Sequence, residues 1–141
     1  MDKYQEYGPT LLRVSLGIIF LAHSAYLKVF VFSVAGTVGF FESVGFPGLL
    51  AYAVLAAEII GGALLILGVR VREAAAVLAI VSLGATWVHL GAGWLFSNQG
   101  GGWEYPLFLA LACMVQMLLG PGALRVRLPT GARFVAADAS A

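Results

Sequence analysis

The feature that most constrains this chain is an apolar run at residues 49–69, in which Glu58 is the only charged residue. Three further apolar stretches cover residues 10–32, 73–91 and 105–119. A helix needs roughly 20 residues to cross the apolar core of a bilayer, whereas the strands of a membrane barrel are about ten residues long and alternate in polarity. The four stretches are long and do not alternate, so they predict four membrane-spanning α-helices.

The composition also indicates a lipid environment. Hydrophobic residues make up 61% of the 141 residues and charged residues only 11%, whereas soluble domains carry about 25% charged residues. The net charge of +1 leaves no basic patch for nucleic acid. The single cysteine, Cys113, excludes an internal disulfide and a Cys-x-x-Cys motif, and its apolar neighbours predict a buried thiol.

Segments rich in glycine, proline and asparagine separate the apolar stretches, at residues 45–48, 98–102 and 120–122. The connection at residues 33–47 has an apolar side and a polar side, which predicts a short helix lying in the membrane interface. The predicted fold is therefore all-α: a four-helix transmembrane bundle with a short interfacial helix between helices one and two. We expect the membrane domain to cover residues 1–124 and a partly disordered cytoplasmic tail to cover residues 125–141.

Basic residues are distributed unevenly between the two faces of a four-span topology. Lys28 falls on one face, and all the others fall on the opposite face: Lys3, Arg13, Arg70, Arg72, Arg125, Arg127 and Arg133. The positive-inside rule then predicts that both termini face the cytoplasm. Within the helices, two pairs of small residues, Gly61–Gly62 and Gly84–Ala85, predict close helix packing.

Ionisable side chains inside membrane helices are costly, so each one is a functional candidate. At about 1.5 Å per helical residue, Glu58 lies near the bilayer centre, and His23 and His89 lie between the centre and the outer face. Lys28 and Glu104 lie near the outer boundary. On an α-helix His23 and Lys28 are about 140° apart, so the spacing does not place them in one cavity.

Each candidate also has a structural interpretation. Arg13 either extends to the cytoplasmic headgroups or pairs with Glu58, and Lys28 extends to the outer headgroups. Glu104 starts helix four, where the helix dipole favours a carboxylate. The two histidines could join neighbouring helices. Glu58, at mid-depth, requires a partner, a proton or contact with water.

The chemistry that these residues suit best is quinone binding. The sequence lacks the His-x-x-x-His and Glu-x-x-His spacings that would indicate a metal site, and it has no phosphate-binding loop and no haem or flavin motif. A quinone needs hydrogen bonds at its carbonyls and a group that exchanges protons when it is reduced. We therefore expect a quinone pocket in the outer half of the bundle, formed by His23, Glu58, His89, Glu104 and Tyr105.

Several segments carry a family resemblance in their order and spacing: residues 13–20 with His23 and Lys28, then 36–47, 57–62, His89, 101–106 and 120–122. Through them, residues 7–124 resemble the DoxX family of small bacterial membrane proteins. The resemblance implies a four-helix fold in the bacterial inner membrane. Relatives include quinone-reducing subunits of thiosulfate oxidation and membrane partners of redox-stress enzymes. Where the family usually has glycine after the histidine of helix one, this chain has Ser24.

Two functional hypotheses remain open. In the first, the chain is a quinone-interacting subunit of a redox complex and receives electrons from a partner protein, since it has no redox group of its own. In the second, it is a non-catalytic structural or assembly subunit of a larger complex or homo-oligomer, and its polar cluster holds the bundle together. A transporter is a third option, but four short spans leave little room for a gated path. No catalytic residue is assigned.

Overall fold

The computed structural model describes residues 3–126, and all of its regular structure is helical. A 3₁₀ turn, Lys3–Glu6, leads into α1 (Tyr7–Leu21), which continues as a π-helical segment (Ala22–Val31). The remaining helices are α2 (Val34–Ser43), α3 (Gly48–Leu67), α4 (Val71–His89) with a 3₁₀ turn at Leu90–Ala92, and α5 (Glu104–Leu119). The predicted all-α class is confirmed. The predicted tail from residue 127 onward lies outside the described residues.

Three of the described helices are long and apolar enough to cross a membrane: Tyr4–Val31, Gly48–Leu67 and Val71–Ala92. The fourth apolar helix, α5, is shorter. Its 16 residues correspond to about 24 Å, less than the bilayer core of about 30 Å. The turns and loop around α5 must therefore supply the rest of its path if it spans.

Glycines with positive φ angles set the helix ends. At the end of α3, Gly68 has φ +74° and donates to the carbonyl of Leu65, while Val69 donates to the carbonyl of Leu64. This double hydrogen bond stops the helix and turns the chain sharply, so α4 begins only four residues after α3 ends. At the end of α5, Gly120 has φ +79°. The segment after it returns over α1 and α3, where Ala123 accepts from the hydroxyl of Thr10 and Val126 donates to the carbonyl of Leu67.

The predicted connection helix is present as α2. The side-chain oxygen of Ser33 caps it by accepting from the N–H of Gly36 at 3.1 Å. Phe46, which follows α2, packs edge-on against Trp87 of α4, with ring centroids 5.7 Å apart. The location of α2 in a membrane interface stays a prediction.

Close contact between α1 and α3 depends on two glycines. A Cβ atom on Gly17 would lie 2.6 Å from the carbonyl oxygen of Gly62, and a Cβ on Gly62 would lie 3.0 Å from that of Gly17. The next residue, Gly61, faces α4, where a Cβ would lie 3.0 Å from Leu78. The prediction for Gly61–Gly62 is confirmed, since the pair allows two neighbours to approach at once.

The matching prediction for the glycine on α4 is wrong. Gly84 is exposed, and a Cβ atom there would meet nothing within 4 Å. Position along the chain could not separate this glycine from Gly61 or Gly62, because only the packing shows which side of a helix is covered.

The apolar core lies where α4 packs along α5 and where α1 packs along α3. Its buried members come from four helices: Leu16, Phe20, Leu65, Val71, Ala74, Ala75, Leu78, Ala79, Leu109, Ala112 and Cys113. Cys113 is fully buried, as predicted. Small residues dominate the α4 side of this core, so α4 and α5 can pack closely.

We expect Gly17→Ala to destabilise the protein by about 1–3 kcal/mol, because its methyl group would clash with the backbone of α3. Gly84→Ala is the matched control. It adds the same methyl group into open space and should be neutral or stabilising by up to about 1 kcal/mol, because alanine favours a helix. Thermal unfolding in detergent measures both, and equal melting temperatures for the two variants would contradict the assignment of the α1–α3 contact.

Candidate functional site

A π-helical turn shapes the C-terminal part of the first helix. Residues Ala22–Val31 form hydrogen bonds from residue i to residue i+5, and the pattern ends where the N–H of Phe32 donates to the carbonyl of Leu27 at 2.8 Å. Wider turns of this kind are rare and often occur at functional sites. They narrow the angle between residues five apart, such as His23 and Lys28, relative to an α-helix. The prediction of a continuous α-helix, with these residues about 140° apart, is corrected here.

Lys28 forms an ion pair with Glu58 of α3. The ammonium nitrogen lies 2.6 Å and 2.8 Å from the two carboxylate oxygens. The Glu58 side chain is 7% exposed and the Lys28 side chain 24% exposed. Lys28 was expected to extend to the headgroups. It instead turns inward, because Glu58 needs a countercharge in an apolar environment.

A threonine that the sequence did not single out supports the ion pair from α2. The hydroxyl oxygen of Thr37 lies 3.0 Å from the backbone carbonyl oxygens of both Lys28 and Ser33, and Thr37 is 5% exposed. The carbonyl of Lys28 lies in the last turn of the π-helical segment, where carbonyls have no partner within the helix, and a hydroxyl from the next helix reaches it. Thr37 therefore fixes the backbone from which Lys28 extends.

His23 stacks on Tyr105, the second residue of α5. Their ring centroids are 5.7 Å apart and the ring planes differ by 26°. The Nδ1 atom of His23 lies 3.2 Å from the carbonyl oxygen of Ile19 on its own helix. A carbonyl only accepts, so Nδ1 carries the proton, and in the neutral ring Nε2 is left as an acceptor.

His89 has the same local arrangement at the end of α4. Its Nδ1 lies 2.7 Å from the carbonyl oxygen of Ala85, which again leaves Nε2 as the acceptor of the neutral ring. Gly101, with φ +78°, passes over this ring, and a Cβ there would lie 3.3 Å from Cδ2. A side chain at that position would press on the imidazole, so glycine leaves the ring free.

Glu104 closes the loop between α4 and α5. Its carboxylate accepts from the N–H of Phe96 at 3.0 Å, and its own N–H donates to the carbonyl of Trp94 at 3.2 Å. Trp94 and Trp103 pack edge to face within this loop, with centroids 4.5 Å apart. The described contacts of Glu104 hold the loop against the start of α5, where Tyr105 contacts His23.

Arg13 lies far from these residues, at the other end of the bundle. It is 1% exposed, and its five N–H donors match five backbone carbonyls, those of Leu65, Ile66, Pro121, Ala123 and Leu124. Neither expected alternative describes it, because it reaches neither headgroups nor Glu58. Carbonyls at the end of α3 carry partial negative charge and stabilise the guanidinium, and Arg13 ties the segment after α5 to the bundle.

The predicted site residues thus form local groups. Lys28 pairs with Glu58, His23 stacks on Tyr105, and His89 lies below the loop that Glu104 closes. Within residues 3–126 no hydrogen bond joins the two histidines to each other or to Glu58. The same residues contain no group of three or more histidine, cysteine or acidic side chains placed to hold a metal ion.

Comparisons with known proteins agree with the family resemblance. The family model for DoxX matches residues 8–91. The chain is 41% identical to a putative oxidoreductase, CatD, of Bacillus subtilis. The matched 85 residues make up 60% of this chain and 61% of that protein. It is 33% identical over 126 residues to an uncharacterised protein of Haemophilus influenzae, covering 87% of this chain and 90% of that protein. No solved structure gives a significant match.

Proposed function

Because the chain belongs to the DoxX family, we propose that it is a membrane-spanning subunit that binds a quinone and acts with a redox partner. The observation that carries the proposal is the His23–Tyr105 stack. It joins an aromatic face suited to a quinone ring to an Nε2 atom that can accept a hydrogen bond from a hydroxyl of the reduced quinone. The description of the Bacillus subtilis relative as a putative oxidoreductase supports a redox role.

The other groups in this half of the bundle suit the same ligand. A quinone has two carbonyl oxygens that require donors, and its reduced form has two hydroxyls that require acceptors. His89 offers a second Nε2 acceptor. The ion pair of Lys28 and Glu58 supplies polar groups between otherwise apolar helices. In this proposal Glu104 does not touch the ligand and positions Tyr105 through the loop.

Electrons for quinone reduction come from a partner protein in this proposal. Reduction to the hydroquinone takes up two electrons and two protons. The whole sequence has one cysteine, so it cannot form a dithiol centre of its own. The protein would therefore work within a larger complex or as a homo-oligomer with a redox enzyme docked on it.

We further propose four spans in the bacterial inner membrane with both termini in the cytoplasm. Three arginines, Arg13, Arg72 and Arg125, lie together at one end of the helices and support this topology. Arg72 lies beside Gly120, with its Nε 3.2 Å from a Cβ built there, and a Cβ on Gly68 would contact both Arg125 and Arg13. Positive charge concentrated at one end is typical of the cytoplasmic side.

Cysteine labelling in a Cys113→Ala background tests this topology. Ser97 in the outer loop and Gln5 at the N-terminus are both exposed. We expect a membrane-impermeant maleimide to label Ser97→Cys in intact cells and Gln5→Cys only after the cells are broken. Ser140→Cys should behave like Gln5→Cys. Labelling of Ser97→Cys and Gln5→Cys from the same side would contradict the proposal.

Quinone binding by the purified protein in nanodiscs tests the function. We expect His23→Ala and Tyr105→Leu each to weaken decylubiquinone binding at least about tenfold, which corresponds to about 1.4 kcal/mol. Tyr26→Leu is the matched control. Tyr26 lies in the same π-helical segment as His23 but is 63% exposed, so binding should not change.

The structural or assembly role remains the second candidate, and one observation favours it. The Nδ1 atoms of both histidines and the carboxylate of Glu104 already bond to backbone groups, which is what residues that only stabilise the fold would do. If the wild-type protein binds no quinone but co-purifies with the same proteins as its His23→Ala variant, the assembly role replaces the quinone proposal.

A further inference from the structure

The ammonium group of Lys28 has one donor more than its partner uses. A protonated lysine carries three N–H donors and no acceptor. Two of them point to the two oxygens of Glu58. Within residues 3–126 the third has no acceptor. An unmade hydrogen bond of a charged donor is costly in an apolar environment, so this N–H requires an acceptor from outside the described chain.

The exposure of Lys28 and Glu58 shows which of the two side chains a bound molecule can contact. The Lys28 side chain is 24% exposed, whereas Glu58 is 7% exposed. The carboxylate is therefore closed off, and the ammonium forms the accessible side of the pair. A molecule that reaches this site contacts a donor first.

The charge of the pair restricts the chemistry of that molecule. Ammonium and carboxylate together carry no net charge, so an anionic ligand would add an uncompensated charge in an apolar setting, and a cation would meet the ammonium. A neutral oxygen acceptor fits best. The carbonyl of a quinone is such an acceptor, and a charged donor forms a stronger hydrogen bond with it than a neutral donor does.

The neighbouring histidine cannot supply this donor. Its Nδ1–H is directed to the carbonyl of Ile19, and its Nε2 accepts when the ring is neutral. The π-helical turn narrows the angle between His23, which stacks on Tyr105, and Lys28, which pairs with Glu58. An acceptor for a hydroxyl and a charged donor for a carbonyl therefore lie five residues apart on the same helical segment.

We propose that Lys28 is a ligand-binding residue whose third N–H donates a hydrogen bond to a quinone carbonyl, with Glu58 as the positioning residue that holds it. The inference rests on the proposed quinone function. It assigns to Lys28 the donor that the quinone carbonyl needs. It also gives a role to the π-helical turn, since an α-helical continuation would widen the angle between His23 and Lys28.

Infrared difference spectroscopy with decylubiquinone labelled with carbon-13 at its carbonyls tests the inference. In the wild-type protein we expect one carbonyl stretch of the bound quinone to move to lower frequency than in detergent alone. The double variant Lys28→Met, Glu58→Leu, which leaves no unpaired charge, should lose this shift and bind the quinone about tenfold more weakly. Lys28→Arg, which keeps charged donors, should retain a shift, and Tyr26→Leu should match the wild type.

The outcomes separate the two proposals. If the wild-type protein binds the quinone and the shift persists in the double variant, water or another group satisfies Lys28 and the inference is wrong, while the quinone function stands. If the wild-type protein binds no quinone, both are wrong. Should the double variant fail to fold, Lys28→Leu with Glu58→Met provides a second pair without charge or donor for the same measurement.

Discussion

Replacing Arg13 by alanine is expected to cause the largest loss of stability of any single change described here. Five backbone carbonyls, from the end of α3 and from the segment after α5, would lose their donor together. One unsatisfied buried polar group costs about 1–3 kcal/mol, and water reaching this end of the bundle would recover part of that. We expect a net loss of at least about 3 kcal/mol, measured as thermal or denaturant unfolding in detergent.

Arg13→Lys separates the effect of the hydrogen bonds from that of the charge, because it keeps the positive charge. Lysine has three donors on one nitrogen and no planar fork, so at least two of the five carbonyls must go unpaired. We expect roughly half the loss seen for alanine. Arg125→Gln is the control, since Arg125 is exposed and lies at the same end of the bundle. If Arg13→Lys were as stable as Arg125→Gln, positive charge alone would account for the role of Arg13.

Glu58→Ala is expected to have the second largest effect. It leaves the ammonium of Lys28 without its countercharge, and breaking a buried ion pair in this way costs about 3–5 kcal/mol. The low end of that range applies, because Lys28 is 24% exposed. Glu104→Ala is the comparison. It removes a bond to the N–H of Phe96, a residue that is 69% exposed, and water can replace that acceptor, so we expect a loss of about 1 kcal/mol.

A double variant then separates the effect of charge pairing from that of burial. Lys28→Met combined with Glu58→Leu removes both charges, and apolar replacement of a buried pair is often neutral or stabilising. We expect the double variant to regain most of the stability lost in Glu58→Ala. Equal stability of Glu58→Ala, Glu104→Ala and the wild type would mean that the pair does not stabilise the fold.

The pattern of apolar residues was sufficient to predict the helices, because hydrophobic length and the positions of glycine and proline act locally. The predicted boundaries of residues 49–69 and 105–119 differ from α3 and α5 by at most two residues. The π-helical turn was not predictable in this way. Nothing in the apolar period of residues 22–31 differs from an α-helix, and the wide turn occurs where Lys28 and Thr37 make contacts between helices.

The residues of the candidate site could likewise be predicted from the sequence only in part. Position along the chain identified Glu58, His23 and His89 as costly groups at membrane depth, because that cost depends only on the residue type and its distance from the helix end. It could not assign partners. Lys28 rather than Arg13 pairs with Glu58, and Tyr105 contacts His23 through ring stacking. Those choices depend on which side of each helix faces its neighbour.

By itself the sequence determined that this chain is helical, apolar and a member of the DoxX family, since these follow from composition, segment length and motif order. Only the tertiary structure decided the role of Arg13. Its five partners are backbone carbonyls from two segments more than 50 residues away, and every residue type carries a carbonyl. A hydrogen bond to a backbone carbonyl does not depend on the type of the accepting residue. It therefore cannot be predicted from the sequence and is identified only in the folded structure.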